Sequence, residues 1–205
     1  MDNILKGFLI GISIAAPVGP IGVLCIRRTL AEGRLVGLVT GLGAATADAV
    51  YGAIAAFGLA ILIGFLIEQQ IWLRLIGGLF LCYLGVKTFI SIPAEKAAEV
   101  SGGGLMRAYL STFFLTLTNP LTILSFAAIF AGLITPTGRS DLFTGISLVA
   151  GVFIGSATWW LLLSWLVSLF RTRFDRKAMI WVNRLSGIVI FAFGVAALFT
   201  IINMF

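Results

Sequence analysis

Three observations predict an all-α polytopic membrane protein: the composition, the length of the uncharged segments and the placement of the basic residues. Of the 205 residues, 60% are hydrophobic and 11% are charged, and the mean hydropathy is +1.12. Soluble domains carry about 25% charged residues. Uncharged segments of about 20 residues, the length that crosses the hydrocarbon core of a bilayer, alternate with short charged segments. A water-soluble domain could not bury so much apolar side chain, so the sequence excludes that class.

The uncharged segments predict six transmembrane helices. Their expected ranges are 4–26, 35–67, 71–90, 110–134, 142–170 and 180–204. The long polar segment 93–104 contains Glu95, Lys96, Glu99 and a Ser-Gly-Gly-Gly tract, a composition typical of a flexible linker. This linker divides the chain into a first three-helix unit, residues 1–92, and a second one, residues 105–205.

The two units match each other in sequence, which indicates an internal duplication. Five residues of the third predicted helix recur 109 positions later in the sixth. They are Ile71, Trp72, Gly78, Gly85 and Val86, which match Ile180, Trp181, Gly187, Gly194 and Val195. The second and fifth helices align at 110 positions, and the first and fourth at 100. Because three is an odd number, the second unit enters the bilayer from the opposite side, so the sequence predicts two inverted repeats, as in many secondary transporters.

Asp48 is the one acidic residue of eight that falls in the middle of a predicted span. An ionisable group there costs at least ~2.5 kcal/mol to insert and is a functional candidate by default. Its neighbours at helical spacing are mostly glycine and alanine, so another helix can approach closely and Asp48 is expected to face the protein interior. The carboxylate could hold a proton or a cationic group. The alternative is a structural hydrogen bond to a neighbouring helix.

Prolines interrupt the first and fourth predicted helices at matching positions. Pro17, Gly19 and Pro20 lie in the middle of the first span, and Asn119 and Pro120 lie at the equivalent point of the fourth. Proline removes a backbone donor and clashes with the preceding turn, so each helix is expected to kink or break. Paired interruptions of this kind point to a binding site near the bilayer midplane. Freed carbonyl and N–H groups could hold the two ends of a zwitterion.

Weaker candidates surround Asp48. Tyr51 follows it by one helical turn and could form a hydrogen bond with it. In the fifth predicted helix, Thr158 and Ser156 occupy the positions that match Asp48 and Thr46, which predicts that this side of the site is polar but uncharged. All these residues could equally be ordinary contacts between helices.

Several other functions are disfavoured by the composition. The net charge of +6 and the pI near 9.9 could suggest nucleic acid, but the basic residues form no continuous stripe and no nucleic-acid-binding motif is present. The chain has no histidine, and its two cysteines lie in apolar segments, so no metal site or cofactor is expected and the chain is not expected to be an enzyme. The sequence leaves open whether the protein forms a homo-oligomer.

The chain resembles the LysE/RhtB family of amino-acid exporters along essentially its full length. The matching segments are Gly7-Phe8-Leu9, Ala16-Pro17-Val18-Gly19-Pro20, Glu32-Gly33-Arg34, Gly41-Leu42-Gly43 with Asp48, Leu84-Gly85 and Asn119-Pro120. Members usually carry Pro-Gly-Pro, where this chain has an extra valine at position 18. The resemblance implies export of an amino acid or related small metabolite across the bacterial inner membrane by proton antiport, with protons and a small solute as partners.

Three alternatives remain at this point. The wider superfamily includes thiol–disulfide electron carriers with one cysteine in each repeat, but the repeat position that matches Cys25 is Ser125. A heavy-metal exporter is a second alternative, although the chain lacks histidine. A membrane scaffold without transport activity would fit the spans, but it would give no reason to bury Asp48.

The basic residues predict the orientation in the membrane. Ten of the fourteen fall in the first, third and fifth predicted loops, and only Lys6, Arg74 and Arg139 fall on the other side. The ten are Arg27, Arg28, Arg34, Lys87, Lys96, Arg107, Arg171, Arg173, Arg176 and Lys177. Because basic loops stay in the cytoplasm, these loops are predicted to be cytoplasmic and both termini to lie outside. Arg27 and Arg28 are thereby interpreted as topology signals.

This orientation can be tested with single cysteines introduced as Arg139→Cys and Phe174→Cys in a chain whose two native cysteines are replaced. A membrane-impermeant thiol reagent applied from outside is expected to label position 139 and to spare position 174. Labelling at position 174 alone would reverse the orientation.

Overall fold

A computed structural model describes residues 3–17, 19–57, 65, 68–91, 102–119, 122–126, 142–170 and 176–202. Within these ranges the protein is helical and contains no strand. Seven helices are formed: α1 (Asn3–Ala15), α2 (Pro20–Glu32), α3 (Arg34–Ala56), α4 (Gln70–Phe89), α5 (Gly102–Leu117), α6 (Leu142–Phe170) and α7 (Arg176–Ile202). Residues 122–126 form a further short helical segment.

Four of these helices, α3, α4, α6 and α7, are long and apolar enough to cross a membrane. Helices α1 and α2 satisfy the same test only together, as one span bent by 81°. By length and composition, the described residues therefore contain four candidate membrane spans, or five if the bent pair is one span. Helix α5 has 16 residues, and much of the predicted fourth span lies outside the described residues. The count of six spans stays a prediction.

Two helix boundaries differ from those expected from hydropathy. Helix α5 begins at Gly102, within the predicted linker, because the first turn of a helix needs no internal acceptors for its N–H groups and so tolerates glycine. Residues 92–101 lie outside the described residues. Helix α2 continues past residue 26 to Glu32, because Arg27 and Arg28 bond to other helices and so remain helical. Gly33 then links α2 to α3 with φ of 107°, a conformation that glycine adopts without strain.

The helices pack in a small number of close pairs. Helix α1 lies along α6, α4 lies along α7, and α3 lies between α5 and α6. Helix α2 contacts α3, α6 and α7, whereas α4 and α5 make little contact with each other. In the sequence repeat, helices α1, α3 and α4 of the first unit correspond to α5, α6 and α7 of the second. Under this correspondence the α1–α6 pair maps onto the α5–α3 pair, and the α3–α6 and α4–α7 pairs map onto themselves.

Glycines set the closest approaches between α1 and α6. A Cβ atom added at Gly151 would lie 2.9 Å from the Cα of Gly7, and one added at Gly11 would lie 2.9 Å from the backbone N of Ser156. Gly7 and Gly11, like Gly151 and Gly155, are four positions apart, the spacing that lets transmembrane helices pack backbone to backbone. This contact holds the end of α1 beside Ser156.

The same device operates between α4 and α7, with glycines that recur in the two units. A Cβ added at Gly194 would lie 2.8 Å from the carbonyl oxygen of Gly78, and one added at Gly187 would lie 2.8 Å from that of Gly85. Gly78 matches Gly187 in the sequence repeat, and Gly85 matches Gly194. Each of these α4 glycines therefore contacts an α7 glycine at the same helix crossing, and the contacting glycine is the one that matches the other α4 glycine in the sequence repeat.

The α1–α6 contact predicts a sharp difference between two substitutions of the same kind. Gly151→Ala should force α1 and α6 apart and lower stability by about 1–3 kcal/mol, as overpacking does. The matched control is Gly52→Ala, whose methyl group would lie 3.5 Å from the side chain of Val152, an ordinary contact. The apparent unfolding temperature in detergent should fall for the first variant and stay near wild type for the second. Equal effects would contradict the proposed packing.

Candidate functional site

A cavity of about 390 Å³ lies where the interrupted helices meet α3 and α6. It is lined by residues from five parts of the chain: the end of α1, the start of α2, the middle of α3, the region that follows α5, and α6. These are Ser13, Ile14, Ala15, Pro17, Gly19, Pro20, Ile21, Gly22, Ala44, Asp48, Thr116, Asn119, Thr122, Ser125 and Trp160. Five of the eight site residues predicted from the sequence are among them: Pro17, Gly19, Pro20, Asp48 and Asn119.

The first interruption separates α1, which ends at Ala15, from α2, which begins at Pro20. The last turn of a helix leaves carbonyl groups without internal partners, and the first turn leaves N–H groups in the same state. Residues from both turns line the cavity. The site therefore brings the negative end of one helix dipole and the positive end of another to one space, which favours a ligand with charges of both signs.

The second interruption has similar geometry. Helix α5 ends at Leu117, and the backbone N–H of Ile123 donates to the carbonyl of Asn119 at 3.1 Å. In the first interruption, the N–H of Val23 donates to the carbonyl of Gly19, also at 3.1 Å. The two hydrogen bonds are related by the 100-residue offset of the sequence repeat. Pro120, the remaining predicted residue of this interruption, lies outside the described residues.

Asp48 lies on α3 with 3% of its surface exposed, at the wall of the cavity. Its Oδ2 accepts a hydrogen bond from Oγ of Ser156 at 2.7 Å, and Nε1 of Trp160 donates to that same Oγ at 3.2 Å. The one ion pair in the described part of the chain joins Arg27 to Glu32. The carboxylate therefore has a neutral donor but no cationic partner among the described residues.

Two predicted residues bond elsewhere. The Tyr51 hydroxyl donates to the carbonyl of Leu117, and its ring stacks on Phe126 with centroids 5.3 Å apart. Tyr51 therefore fastens α3 to the end of α5 and does not bond to Asp48. Thr158 is not among the described residues that line the cavity, and its hydroxyl donates to the carbonyl of Ile154 on its own helix at 2.7 Å.

The sequence interpretation missed several polar residues of the cavity. Thr116 and Thr122 flank Asn119 at three residues on either side, a spacing that places them beside the interruption. That signal could have identified them. Trp160, which the sequence interpretation did not assign to the site, lies one turn from Ser156 and is 4% exposed. It lines the cavity, and its indole N–H donates to Oγ of Ser156.

Arg28 is more deeply buried than a topology signal requires. Its exposed fraction is 8%. Its Nη1 donates to Oγ1 of Thr40 at 3.2 Å, to the carbonyl of Ala108 at 3.1 Å and to Oγ1 of Thr112 at 3.1 Å, while Nη2 donates to Oγ of Ser111 at 2.9 Å. The guanidinium thus ties α2 to α3 and α5 through neutral oxygens. Interpretation as a surface charge was incomplete for this residue.

Arg27 has a similar structural role on the other side of α2. Its Nε donates to Oδ1 of Asn183 at 3.1 Å, and its Nη2 donates to Oγ of Ser91 at 2.9 Å. The remaining nitrogen, Nη1, bonds Glu32 at 3.1 Å. These bonds connect α2 with α7 and with the end of α4.

Comparison with known proteins gives the family. The model for the LysE type translocator matches residues 12–200. A protein of Bacillus subtilis (strain 168), named "Putative amino acid efflux protein YcgF", is 27% identical over 198 residues, which cover 95% of this chain and 94% of that protein. An Escherichia coli (strain K12) protein, "Uncharacterized membrane protein YahN", is 28% identical over 179 residues, covering 85% of this chain and 79% of that one. No solved structure matches significantly.

The family match covers both interruptions, Asp48 and the helices around the cavity, and it agrees with the resemblance expected from the motifs. The chain therefore belongs to the LysE type translocators, a family of membrane transport proteins.

Proposed function

We propose that the protein exports an amino acid or a related small metabolite across the bacterial inner membrane in exchange for protons, with the solute bound in the cavity at Asp48. The observation that carries this proposal is the carboxylate itself. Asp48 is 3% exposed, lines the cavity and has a serine hydroxyl as its hydrogen-bond donor. A charge buried in this way is costly unless it is paired.

A transported ligand can provide the missing partner in two ways. The ammonium group of an amino acid would form a charge-assisted hydrogen bond with Asp48, and a proton would neutralise the carboxylate directly. Since both neutralise the same group, the two would compete. This competition, combined with a barrier to movement of the empty charged site, would couple their movements in opposite directions.

The other end of an amino acid also has a suitable partner. Helix α2 begins at Pro20, and Ile21 and Gly22 of its first turn line the cavity. A helix N-terminus stabilises an anion through its free N–H groups and its dipole. A solute carboxylate at α2 and an ammonium at Asp48 would together satisfy a zwitterion.

Transport would then follow from the charge state of the site. With solute or proton bound, Asp48 is neutralised and the two units can move past each other. With neither bound, the exposed charge resists passage through the closed state. The ligands thus shift the balance between inward-open and outward-open forms according to how well each form holds them.

Two inverted repeats of three spans, residues 1–92 and 105–205, would provide these two forms. Support comes from the exchange pattern of the helix pairs, the crosswise glycines of α4 and α7 and the matching hydrogen bonds at Gly19 and Asn119. We also propose that both termini lie outside, because ten basic residues fall in the odd-numbered loops. The name of the Bacillus relative, an amino acid efflux protein, agrees with the proposed substrate class.

No specific observation favours the heavy-metal alternative. The described lining of the cavity offers a carboxylate, hydroxyls and an amide. These are oxygen donors, whereas soft heavy metals prefer thiolates. Cys25 instead points to the carbonyl of Gly37 at 3.4 Å and to Ser164 at 3.6 Å.

Replacing the carboxylate tests the coupling. Asp48→Asn keeps the size and a hydrogen-bond acceptor for Ser156, so folding should survive. Efflux driven by a pH gradient in proteoliposomes should fall about tenfold or more, since each lost charge contact with a bound ligand is worth at least ~1.4 kcal/mol. When the pH is lowered, the substrate-free variant should take up fewer protons than substrate-free wild type, because the titrating group is gone.

Thr158→Val is the matched control for this experiment. It removes a polar group at the repeat position equivalent to Asp48, but one whose hydroxyl bonds its own helix. Its efflux should remain near wild type. If Asp48→Asn still accumulated solute against a gradient with the same dependence on external pH, Asp48 would not be the coupling group.

A second substitution tests where the solute lies. A Cβ added at Gly19 would have no atom within 4 Å, and the backbone there is extended, with φ of −104° and ψ of −165°. Any residue adopts that conformation. Gly19→Val should therefore fold normally but fill part of the cavity, so that solute affinity falls strongly while stability does not change.

Gly19→Ala should give an intermediate loss of affinity, and Ala192→Val, on the exposed face of α7, should give none. Binding can be measured by isothermal titration with a panel of amino acids. Wild-type affinity in Gly19→Val for a solute that wild type transports would exclude this cavity as the binding site.

A further inference from the structure

A second cavity, of about 460 Å³, lies between the ends of α2, α4 and α5. Its described lining includes four basic residues, Arg27, Arg28, Lys87 and Arg107, and one acidic residue, Glu32. All three helix ends lead into loops that carry the basic residues, so the cavity lies on the side of the membrane predicted to be cytoplasmic. It is separate from the cavity at Asp48, with which it shares no lining residue.

The positive charge of this basic pocket is largely uncompensated within the described chain. Arg27 is paired with Glu32, and Arg28 bonds only neutral oxygens. Among the described residues, Lys87 contacts the neutral side chain of Tyr83: its Nζ donates to the hydroxyl at 3.4 Å and lies 5.6 Å from the ring centroid. Arg107 is exposed and has no ion-pair partner among the described residues. Such a cluster favours an anion with several oxygen acceptors.

An apolar groove continues from the basic pocket along the gap between α4 and α5. Its volume is about 710 Å³, and its wall includes Ile76, Met106, Leu110 and Phe114. The groove and the pocket share Phe80, Arg107 and Ser111, so they form one continuous cleft. Its apolar walls are exposed, with 58% of Ile76 and 56% of Phe114 accessible.

We propose that this cleft binds an anionic phospholipid, with the phosphate headgroup in the basic pocket and an acyl chain along the groove. The charge at one end and the apolar length beyond it match the two parts of such a lipid. Basic pockets between transmembrane helices on the cytoplasmic side recognise anionic headgroups in the same way. A free amino acid would use the pocket but leave the groove empty.

A second copy of the chain fits less well. A parallel two-fold partner would bring its own Lys87 and Arg107 to the same side of the membrane, where like charges repel. The lipid, in contrast, neutralises them. The proposal does not depend on the identity of the exported solute, because no residue of the cavity at Asp48 takes part.

The test compares two double variants of the full chain that lose the same charge on the same side of the membrane. Lys87→Gln with Arg107→Gln removes the two exposed bases of the cleft. Arg34→Gln with Arg184→Gln removes two exposed bases outside it. Each protein is purified in a neutral detergent, and binding of phosphatidylglycerol and phosphatidylcholine with identical acyl chains is measured by native mass spectrometry.

Wild type is expected to prefer phosphatidylglycerol over phosphatidylcholine, and the cleft variant to lose about tenfold or more in phosphatidylglycerol affinity, because it lacks two of the bases that attract the headgroup. The control variant should retain the preference, and both should unfold at the wild-type temperature without lipid. Leu110→Trp, which fills the groove, should weaken the binding of both lipids. The same variant should bind free glycerol phosphate no more tightly than wild type does.

Four results would overturn the proposal. Equal losses of phosphatidylglycerol affinity in both double variants would mean that the lipid is attracted only by the long-range positive charge of the protein. Equal binding of the two lipids would mean that the groove binds acyl chains without recognising the headgroup. Displacement of phosphatidylglycerol by glycerol phosphate at the same concentration would identify a pocket for free anions. A dimer whose formation excludes lipid, and which Leu110→Trp dissociates, would identify the occupant as a second copy.

Discussion

The hydrogen bond between Asp48 and Ser156 joins α3 to α6 at the wall of the central cavity, and much of the surrounding architecture serves to bury that carboxylate. Ala44, Ala45 and Ala47 around it are at most 1% exposed, which lets neighbouring helices come close. The glycine contact of α1 with α6 holds Ser156 and the end of α1 at the same level. Larger side chains at these positions would hold the neighbouring helices apart and leave the carboxylate less buried.

The two units share their framework but not their charge. After each interruption the helix resumes with a backbone hydrogen bond between residues four apart. The N–H of Val23 donates to the carbonyl of Gly19, and the N–H of Ile123 donates to that of Asn119. The position that corresponds to Asp48 carries Thr158, which bonds within its helix. Under the proposed inverted repeat, a symmetric framework would allow two related conformations of the cavity. In the proposed antiport, a single carboxylate would give both conformations the same coupling group, whereas two buried carboxylates would repel each other.

The sequence was informative where a residue type is rarely tolerated in a membrane. Asp48 and the prolines could be identified because a buried carboxylate and a mid-helix proline are both energetically costly. Each therefore stands out in the sequence without knowledge of its neighbours in space. Partners of polar residues were not predictable in that way. From the sequence, Tyr51 could either bond Asp48, one turn away, or make an ordinary contact between helices, and tertiary packing presents the carbonyl of Leu117 to it. Ser156 and Thr158 differ by two residues, and only the rotation of α6 decides which of them faces Asp48.

Arg28 also shows that the sequence does not indicate the hydrogen-bond partners of a polar residue. A basic residue at the end of an apolar segment is explained by topology alone, so nothing in the sequence indicates its four hydrogen bonds to α3 and α5. These bonds have a mechanical consequence. Arg28 ties the middle of α5 to α2 and α3, and Tyr51 ties the C-terminal end of α5 to α3, whereas α4 and α5 make little contact. Helix α5 should therefore move with α2 and α3 when the cavity at Asp48 opens, and the separation between α5 and α4 is the coordinate most free to change.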